Sequence, residues 1–423
     1  MKHRLMVIHP IDPRGGKVGG IETHVRLLLA RHPEDFSVCL VGVDGRGDLE
    51  PGRPLRMEAE GRKFDFLPVL HYPEEQMHEA ATSIRSSLTF RFLLAMLRHI
   101  RAIRKLAGIG PVSADVQRFE FSLIPRLAGV PLLQQIHGEG QKGEKMDSLI
   151  SRHWGIYEAG EAMAMHLCAR AICVTPARVE QMAKKYPRLA HKLEFMSVSV
   201  DTDVFAPSAF DTTDDRFKIV FAGRFDAFKD PPLMFSVLAK LKEMLDGAVE
   251  FHYIGKSSTQ RFAQFEAIRD ITIRHGFQDR AGVARILRNV HAGILTSYFE
   301  GLPCFMMEVL ASGRPLGVIR LPQFQIDLPE YAPLMEEGVS GFLRERCEDD
   351  REKTAQVMAE GFAQLWADIK AGRYDPERIA ARARPYSIAV QLPRLFERHR
   401  QIQAGAEMPE GNVIRQMKAQ GVL

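Results

Sequence analysis

Cysteine in metal-ligating spacing, long apolar runs and an excess of one charge are all missing from this chain. Its 423 residues include five cysteines, Cys39, Cys168, Cys173, Cys304 and Cys347. An odd count without metal-ligand spacing excludes a structural zinc site and reads as reduced thiols in a cytosolic protein. No apolar run approaches the ~20 residues of a membrane span, and the first residues enter a strand without signal-peptide character. Lys and Arg number 57 against 53 Asp and Glu, a net of +4, too small to argue for nucleic acid as a partner. The glycines at 15, 16, 19 and 20 do not fit G-x-G-x-x-G, which removes the dinucleotide fingerprint and with it a nicotinamide dehydrogenase. There is no internal repeat and no low-complexity segment.

What remains is an ordinary soluble composition, long enough for two domains of roughly 200 residues each. Short apolar strands alternate with helical segments in both halves, which predicts α/β architecture with parallel sheets. In the first half the strands fall at 5–9, 37–43, 64–69, 114–118, 132–137, 171–175 and 193–200. In the second they fall at 219–222, 249–254, 271–273, 293–295 and 316–319, with helices near 231–245, 259–268, 280–290, 303–312 and 351–371. Residues 201–215 lack apolar periodicity and read as a linker. A last amphipathic helix covers 387–400.

One stretch concentrates the chemistry. From Leu295 to Pro315 the chain runs from a buried strand through a turn marked by Gly301 and Pro303 into a helix, because Met306, Met307, Leu310 and Ala311 repeat at helical spacing. Glu300 then sits in the loop and Glu308 on the helix, at the carboxyl end of a strand, where open α/β sheets bind ligands. Two carboxylates there can accept hydrogen bonds from vicinal hydroxyls of a sugar or ribose; standing alone, they would read first as an ordinary loop acid and a solvated helix residue. Their positive counterpart lies between Phe221 and Leu233: a strand ends at Gly223-Arg224, and Asp230-Pro231 opens a helix with an N-cap and a first-turn proline. Arg224 and Lys229 flank that positive helix terminus. Together they can stabilise the charge of a departing diphosphate without a metal.

Further signals are weaker. The turn from Pro13 to Glu22 leads from the first strand into a helix, an arrangement in which glycine lets backbone N–H groups approach an anion. His137 closes a strand at the sheet's carboxyl edge, where by itself a buried structural histidine is commoner than a ligand. Between residues 80 and 114 there is no acidic residue, while Arg85, Arg91, Arg98, Arg101, Arg104 and Lys105 are all basic. On a helical wheel Arg91, Arg98, Arg101 and Lys105 share one face, opposite Leu88, Phe92, Met96, Ile103 and Leu106. Such a helix, over about 82–106, either packs on the sheet with a solvated basic side or docks on an anionic membrane surface.

Gly19-Gly20-Ile21-Glu22, His137-Gly138, the stretch from Ala222 to Lys229 and the pair Glu300 and Glu308 together resemble the family 4 glycosyltransferases, over nearly the whole chain. These are retaining sugar-nucleotide enzymes of GT-B architecture, α/β with two Rossmann-like domains whose parallel sheets face each other across a cleft. The resemblance implies an N-terminal acceptor-binding domain at 1–207 and a C-terminal nucleotide-sugar-binding domain at 208–385, with the helical segment 386–423 crossing back to the first. It implies that Arg224 and Lys229 hold the donor diphosphate, Glu300 meets the donor sugar, Glu308 binds the ribose and His137 stands beside the sugar. Gly19, Gly20, Gly301, Leu302 and Pro303 complete the substrate contacts. No cofactor and no metal is implied. The expected reaction moves a hexose from a nucleoside diphosphate sugar to a carbohydrate or lipid-linked acceptor, in cell-surface polysaccharide or glycolipid assembly. It is expected in the cytoplasm, peripheral on the inner face of the plasma membrane, with no nucleic-acid partner. The alternative is a catalytically degraded relative that serves as a nucleotide-sugar-binding or scaffold subunit.

Two departures from the family pattern stand out. Ser197-Val-Ser-Val-Asp201 replaces Pro-Asn-Gly-Val-Asp and lacks the residues suited to a left-handed turn. Arg320 to Glu330 replaces a Gly-Gly loop with a longer segment free of glycine, in which Arg320 and Gln323 are candidates to take over the phosphate contacts.

Overall fold

The computed structural model describes residues 2–15, 19–73, 76, 86–138, 154–259, 261–324, 326, 328, 330–331, 333–347 and 350–423. They form two compact units, one of residues 1–197 with 391–423 and the other of residues 198–390. Residues 198–207 go with the second unit because they are stitched to its far end. Val200 N–H donates to the Tyr386 carbonyl and Ile388 N–H to the Val200 carbonyl, and the Phe205 side chain is buried.

The first unit is built on β1 (His3–Ile8), β2 (Phe36–Asp44), β3 (Leu55–Ala59), β4 (Arg62–His71), β5 (Val112–Val116), β6 (Leu132–Ile136), β7 (Arg170–Cys173) and β8 (Leu193–Phe195). They pair in the order β3-β4-β2-β1-β5-β6-β7-β8. Only β3 runs antiparallel, against β4; its alternation of half-buried and exposed residues carries no apolar run, so sequence periodicity does not mark it. The helices are α1 (Gly20–Ala30), α2 (Leu88–Arg98), α3 (Ile100–Ala107), α4 (Leu123–Ala128), α5 (Trp154–Leu167) and α6 (Pro176–Lys185). The basic segment is therefore two helices and not one. His99, whose ring lies against Gly52, adopts φ −99°, ψ 19° between them. Phe92, Met96, Ile103 and Leu106 are buried as the wheel requires, and the expected start at 82–85 lies outside the described residues.

The second unit holds β9 (Phe217–Ala222), β10 (Val249–Ile254), β11 (Thr272–Gly276), β12 (Ala292–Leu295), β13 (Leu316–Ile319) and β14 (Gly341–Arg344), all parallel, in the order β11-β10-β9-β12-β13-β14. Its helices are α7 (Pro231–Met244), α8 (Arg280–Arg288), α9 (Cys304–Ala311), α10 (Arg351–Lys370) and α11 (Pro376–Ala381). The expected helix at 259–268 is instead a 3₁₀ segment over Ala263–Ile271. The reason is in the spacing: Phe265, Ile268 and Ile271, the buried residues, recur every third position, which suits three residues per turn.

The order of this sheet reverses between β9 and β12. Chain that leaves β9 and chain that leaves β12 diverge there, and the gap at their carboxyl ends is where a doubly wound sheet takes its ligand. In the first sheet the same reversal falls between β1 and β5.

The chain's last helices, α12 (Ile388–Ala404) and α13 (Asn412–Ala419), belong from Gln391 onward to the first unit. A buried ion cluster holds α12 there. Glu194 on β8 receives Arg398 Nε at 2.8 Å and Nη2 at 2.9 Å, and Arg170 Nε on β7 at 2.9 Å. Burial works against the carboxylate, but the Arg398 hydrogen bond and the two guanidinium charges outweigh it, so its pKa is lowered. Glu194→Gln leaves two guanidiniums facing a neutral amide. The expected loss of unfolding free energy is ~3 kcal/mol at pH 7, read by chemical denaturation; wild-type stability in that variant would show that the cluster does not hold the helix.

Candidate functional site

The site in the second unit is made by the two loops at the sheet's reversal. β9 is followed by Gly223, whose φ of 144° excludes a side chain with ordinary backbone preferences. Phe225 is buried with its ring 4.2 Å from that of Tyr253, and its N–H donates to Ser257 Oγ at 3.0 Å. A 3₁₀ turn over Ala227–Lys229 follows, then Asp230 at φ 47° and ψ 59°, whose Oδ1 accepts the Leu233 N–H at 3.3 Å and caps α7. From β12 the other loop passes through Thr296, Ser297 and Glu300 to Pro303, the N-cap of α9. Met306, Met307, Leu310 and Ala311 are buried, as their spacing predicts.

The two loops are bonded to each other. Thr296 Oγ1 donates to the Lys229 carbonyl at 2.9 Å and the Tyr298 N–H to the Phe228 carbonyl at 2.7 Å. The Phe228 and Phe299 rings stack with centroids 5.0 Å apart. Lys229 Nζ and Glu300 Oε1 therefore meet at 2.7 Å, and Ser297 Oγ donates to the same oxygen at 2.7 Å. The two side chains are only 16% and 9% exposed, so each charge compensates the other's desolvation.

Of the other expected residues, Arg224 is exposed and pairs with Asp226 at 3.0 Å, apart from the Lys229–Glu300 pair. Glu308 is half-buried on α9. Burial pushes its pKa up to about 7, against the pull of the Arg280 guanidinium. Its carboxyl thus changes charge near neutral pH. Gly301, Leu302 and Pro303 form the connection between the two glutamates. Arg320 is turned to Glu345, at 2.5 Å, and the side chain of Gln323 lies outside the described residues. In the Asp-x-Asp of the chain, Asp201-Thr202-Asp203, Asp201 Oδ2 is paired with Arg280 at 3.2 Å and Oδ1 accepts the Asp203 N–H.

Gly19, Gly20 and His137 are in the first unit, beyond the carboxyl ends of β1 and β6. Gly19 is the N-cap of α1, and a side chain there would collide with the Glu22 carboxylate, which folds back over the helix start. Residues 16–18 of that loop lie outside the described residues. His137 Nε2 faces Gln117 Oε1 at 2.5 Å, and its ring meets that of His24 edge-on with centroids 5.8 Å apart. Burial, reinforced by His24, drives its pKa down to about 3, so the imidazole is neutral at pH 7.

Arg346 was not legible from the sequence as a site residue. Its Nη1 reaches Asp230 Oδ2 at 2.6 Å, its Nη2 donates to the Thr296 carbonyl at 2.6 Å, and its guanidinium lies 3.9 Å from the centroid of Tyr298. One side chain thereby ties the β9 loop to the β12 loop. Its partners are 116 and 50 positions away, and no local pattern encodes that. Arg346→Met is expected to destabilise the protein by on the order of 2 kcal/mol, since it removes the partner of the buried Asp230 Oδ2 and of the Thr296 carbonyl. Arg346→Lys restores only part, because one ammonium cannot copy the two-armed contact. Thermal unfolding of both variants tests this; unchanged midpoints would remove Arg346 from the account.

Comparison with known proteins relates the second unit and the fold to other chains. Residues 216–363 match the model of the family described as "Glycosyl transferases group 1". The chain is 24% identical over 208 residues to the D-inositol 3-phosphate glycosyltransferase of Paenarthrobacter aurescens, a match covering 46% of this chain. It spans about half of that relative, 51%. Among solved structures, sucrose-phosphate synthase from Thermosynechococcus elongatus superposes with a TM-score of 0.74 at 16% identity, over 96% of this chain and 100% of that one. An α,α-trehalose-phosphate synthase (UDP-forming) from Burkholderia vietnamiensis gives 0.65 at 14% identity, over 96% and 100%. An Anabaena protein solved with UDP and glucose gives 0.61 at 11% identity, over 94% and 99%. Residues 216–363, within the second unit, are thus similar to the group 1 glycosyl transferase domain, and the chain has the two-sheet α/β fold of its GT-B neighbours.

Proposed function

We propose that this protein is a retaining glycosyltransferase that moves a hexose from a nucleoside diphosphate sugar to a carbohydrate or lipid-linked acceptor. The observation that carries the reading is the Lys229–Glu300 pair, set at 2.7 Å in the reversal of the second sheet, within the segment that matches the group 1 domain. A cation there answers a diphosphate and a carboxylate answers a sugar hydroxyl. The solved neighbour with UDP and glucose supports that ligand class.

In this reading the donor exchanges the contact between the two side chains for contacts with itself. Lys229 and Arg224 turn to the diphosphate, and the start of α7 adds its positive end. Glu300 accepts from the sugar hydroxyls and Glu308, ionised above pH 7, from the ribose. His137 stands beside the sugar, and Gly19 and Gly20 offer backbone N–H groups to phosphate. The bond from the anomeric carbon to the diphosphate oxygen breaks, and the acceptor oxygen forms its new bond on the same face. The acceptor's proton passes to the departing phosphate oxygen, so no covalent enzyme intermediate and no metal is invoked. Fixed charges that meet the developing negative charge supply the stabilisation.

The acceptor side points to a membrane. Arg91, Arg98, Arg101, Arg104 and Lys105 are all exposed, and Leu94, Leu97 and Ile109 beside them in the chain are 50%, 38% and 102% exposed. Basic residues interleaved with exposed apolar ones fit an anionic lipid surface, at ~1 kcal/mol per basic residue. No helix among the described residues is long and apolar enough to span a bilayer. On the family resemblance we place the reaction at the cytoplasmic face of a membrane, in assembly of surface polysaccharide or glycolipid.

Two measurements test this. Thermal-shift titration with UDP, GDP and ADP and their sugar conjugates is expected to give a shift with one nucleotide, worth ~2.7 kcal/mol at 100 times its dissociation constant. Lys229→Ala removes that shift, and Glu300→Ala abolishes transfer in a folded protein; wild-type turnover in either variant overturns the assignment, and binding without turnover of any donor favours a non-catalytic binding subunit. Flotation with vesicles containing anionic phospholipid is expected for the wild type and lost when Arg98, Arg101 and Lys105 become Glu. Equal flotation of both proteins would rule out this face as the lipid contact.

A further inference from the structure

The first unit buries a chain of polar side chains that begins on the C-terminal helix α12 and ends at His137. His399 of α12, 0% exposed, places Nε2 at 3.2 Å from Asp115 Oδ2 and Nδ1 at 3.0 Å from Ser113 Oγ. Ser113 Oγ also accepts from Gln403 Nε2 at 2.8 Å. Asp115, likewise 0% exposed, accepts from Gln135 Nε2 at 3.2 Å and from Gln117 Nε2. Gln117 in turn presents Oε1 to His137 Nε2 at 2.5 Å. Four residues from the ends of two strands, β5 and β6, and from one helix are thus joined, across 284 positions between Asp115 and His399.

The direction of every hydrogen bond in the chain follows from one carboxylate. Although burial opposes it, Asp115 is held below the usual carboxylate range by the hydrogen bonds it accepts from His399 and Gln135. An ionised carboxylate only accepts. The Gln117 group that faces it must therefore be the NH₂, which turns the Gln117 carbonyl oxygen towards His137. A carbonyl oxygen also only accepts, so His137 Nε2 must carry the proton. In a neutral imidazole the other nitrogen, Nδ1, then holds the lone pair.

We propose that Gln117 is a positioning residue that locks His137 in its Nε2–H tautomer, and that α12, through His399 and Asp115, orients Gln117 for that task. His137 then meets its ligand as a hydrogen-bond acceptor through Nδ1, suited to a sugar hydroxyl and unsuited to a phosphate oxygen. This last step rests on the function proposed above; the tautomer does not. The arrangement gives the return of the chain's end to the first unit a role in the site. The same packing that buries α12 sets the polarity of a side chain beyond β6.

Imidazole ¹⁵N NMR of the full-length protein labelled at histidine tests the tautomer directly, with His137 assigned by its loss in His137→Gln. The proton is expected on Nε2 from pH 6 to 8, and a proton on Nδ1, or a cation in that range, overturns the proposal whatever the enzyme does. In Gln117→Met, close in shape but without the amide, His137 is expected to become a mixture of tautomers. Donor transfer is then expected to fall in kcat by ~10- to 100-fold, with KM for the donor within about twofold, as misoriented groups do. His399→Phe should reproduce both changes in smaller degree. A pure Nε2–H tautomer and unchanged kcat in Gln117→Met would show that Gln117 orients nothing. Should Gln117→Met fail to fold, the wild-type spectrum alone decides the tautomer. Should the wild type transfer no sugar, the function fails while the spectrum still judges the hydrogen-bond chain.

Discussion

Lys229 and Glu300 stand at hydrogen-bond distance because β9 and β12 are neighbours whose following chains depart in opposite directions. Everything around the second-unit site serves that constraint. Two diverging loops have no reason to touch, so their contact must be made by specific bonds: Thr296 to the Lys229 carbonyl, Tyr298 to the Phe228 carbonyl, and Arg346 across both. The cation and the carboxylate then offset each other's desolvation, which lets two charges sit mostly buried without a penalty of several kcal/mol each.

The first unit solves a related problem with neutral groups. Beyond β1, β5 and β6 it gathers His24, Gln117 and His137, and burial keeps the two imidazoles uncharged. Charge is confined to Asp115, where three donors meet it.

The fold was largely legible because its signals are local. The strand at 292–295, the proline-opened helix at 231 and the helix over 304–311 follow from apolar spacing and caps within a few residues. The misses have equally physical causes. β3 is half-exposed and carries no apolar run. The 3₁₀ segment over Ala263–Ile271 shows a period of three that a helical reading absorbs. The basic segment is broken at His99, where its ring packs on Gly52, a contact with a residue 47 positions away. At the site, the residue types and their order along the chain were legible, whereas Arg346 and Gln117 were not. Their sequence surroundings are unremarkable, and only their long-range partners give them meaning.

By itself the sequence determined which groups were available and on which element each would ride: a loop carboxylate at 300, a helix carboxylate at 308, a cation just before a capped helix, a histidine at a strand's end. Capping, turn formation and apolar periodicity act over four or five residues, so those residues suffice to specify them. Only the tertiary structure decided which groups meet. Lys229 and Glu300 are 71 positions apart and His399 and Asp115 are 284 apart. Such pairs depend on strand order and on where the last helix packs, which the whole core settles at once.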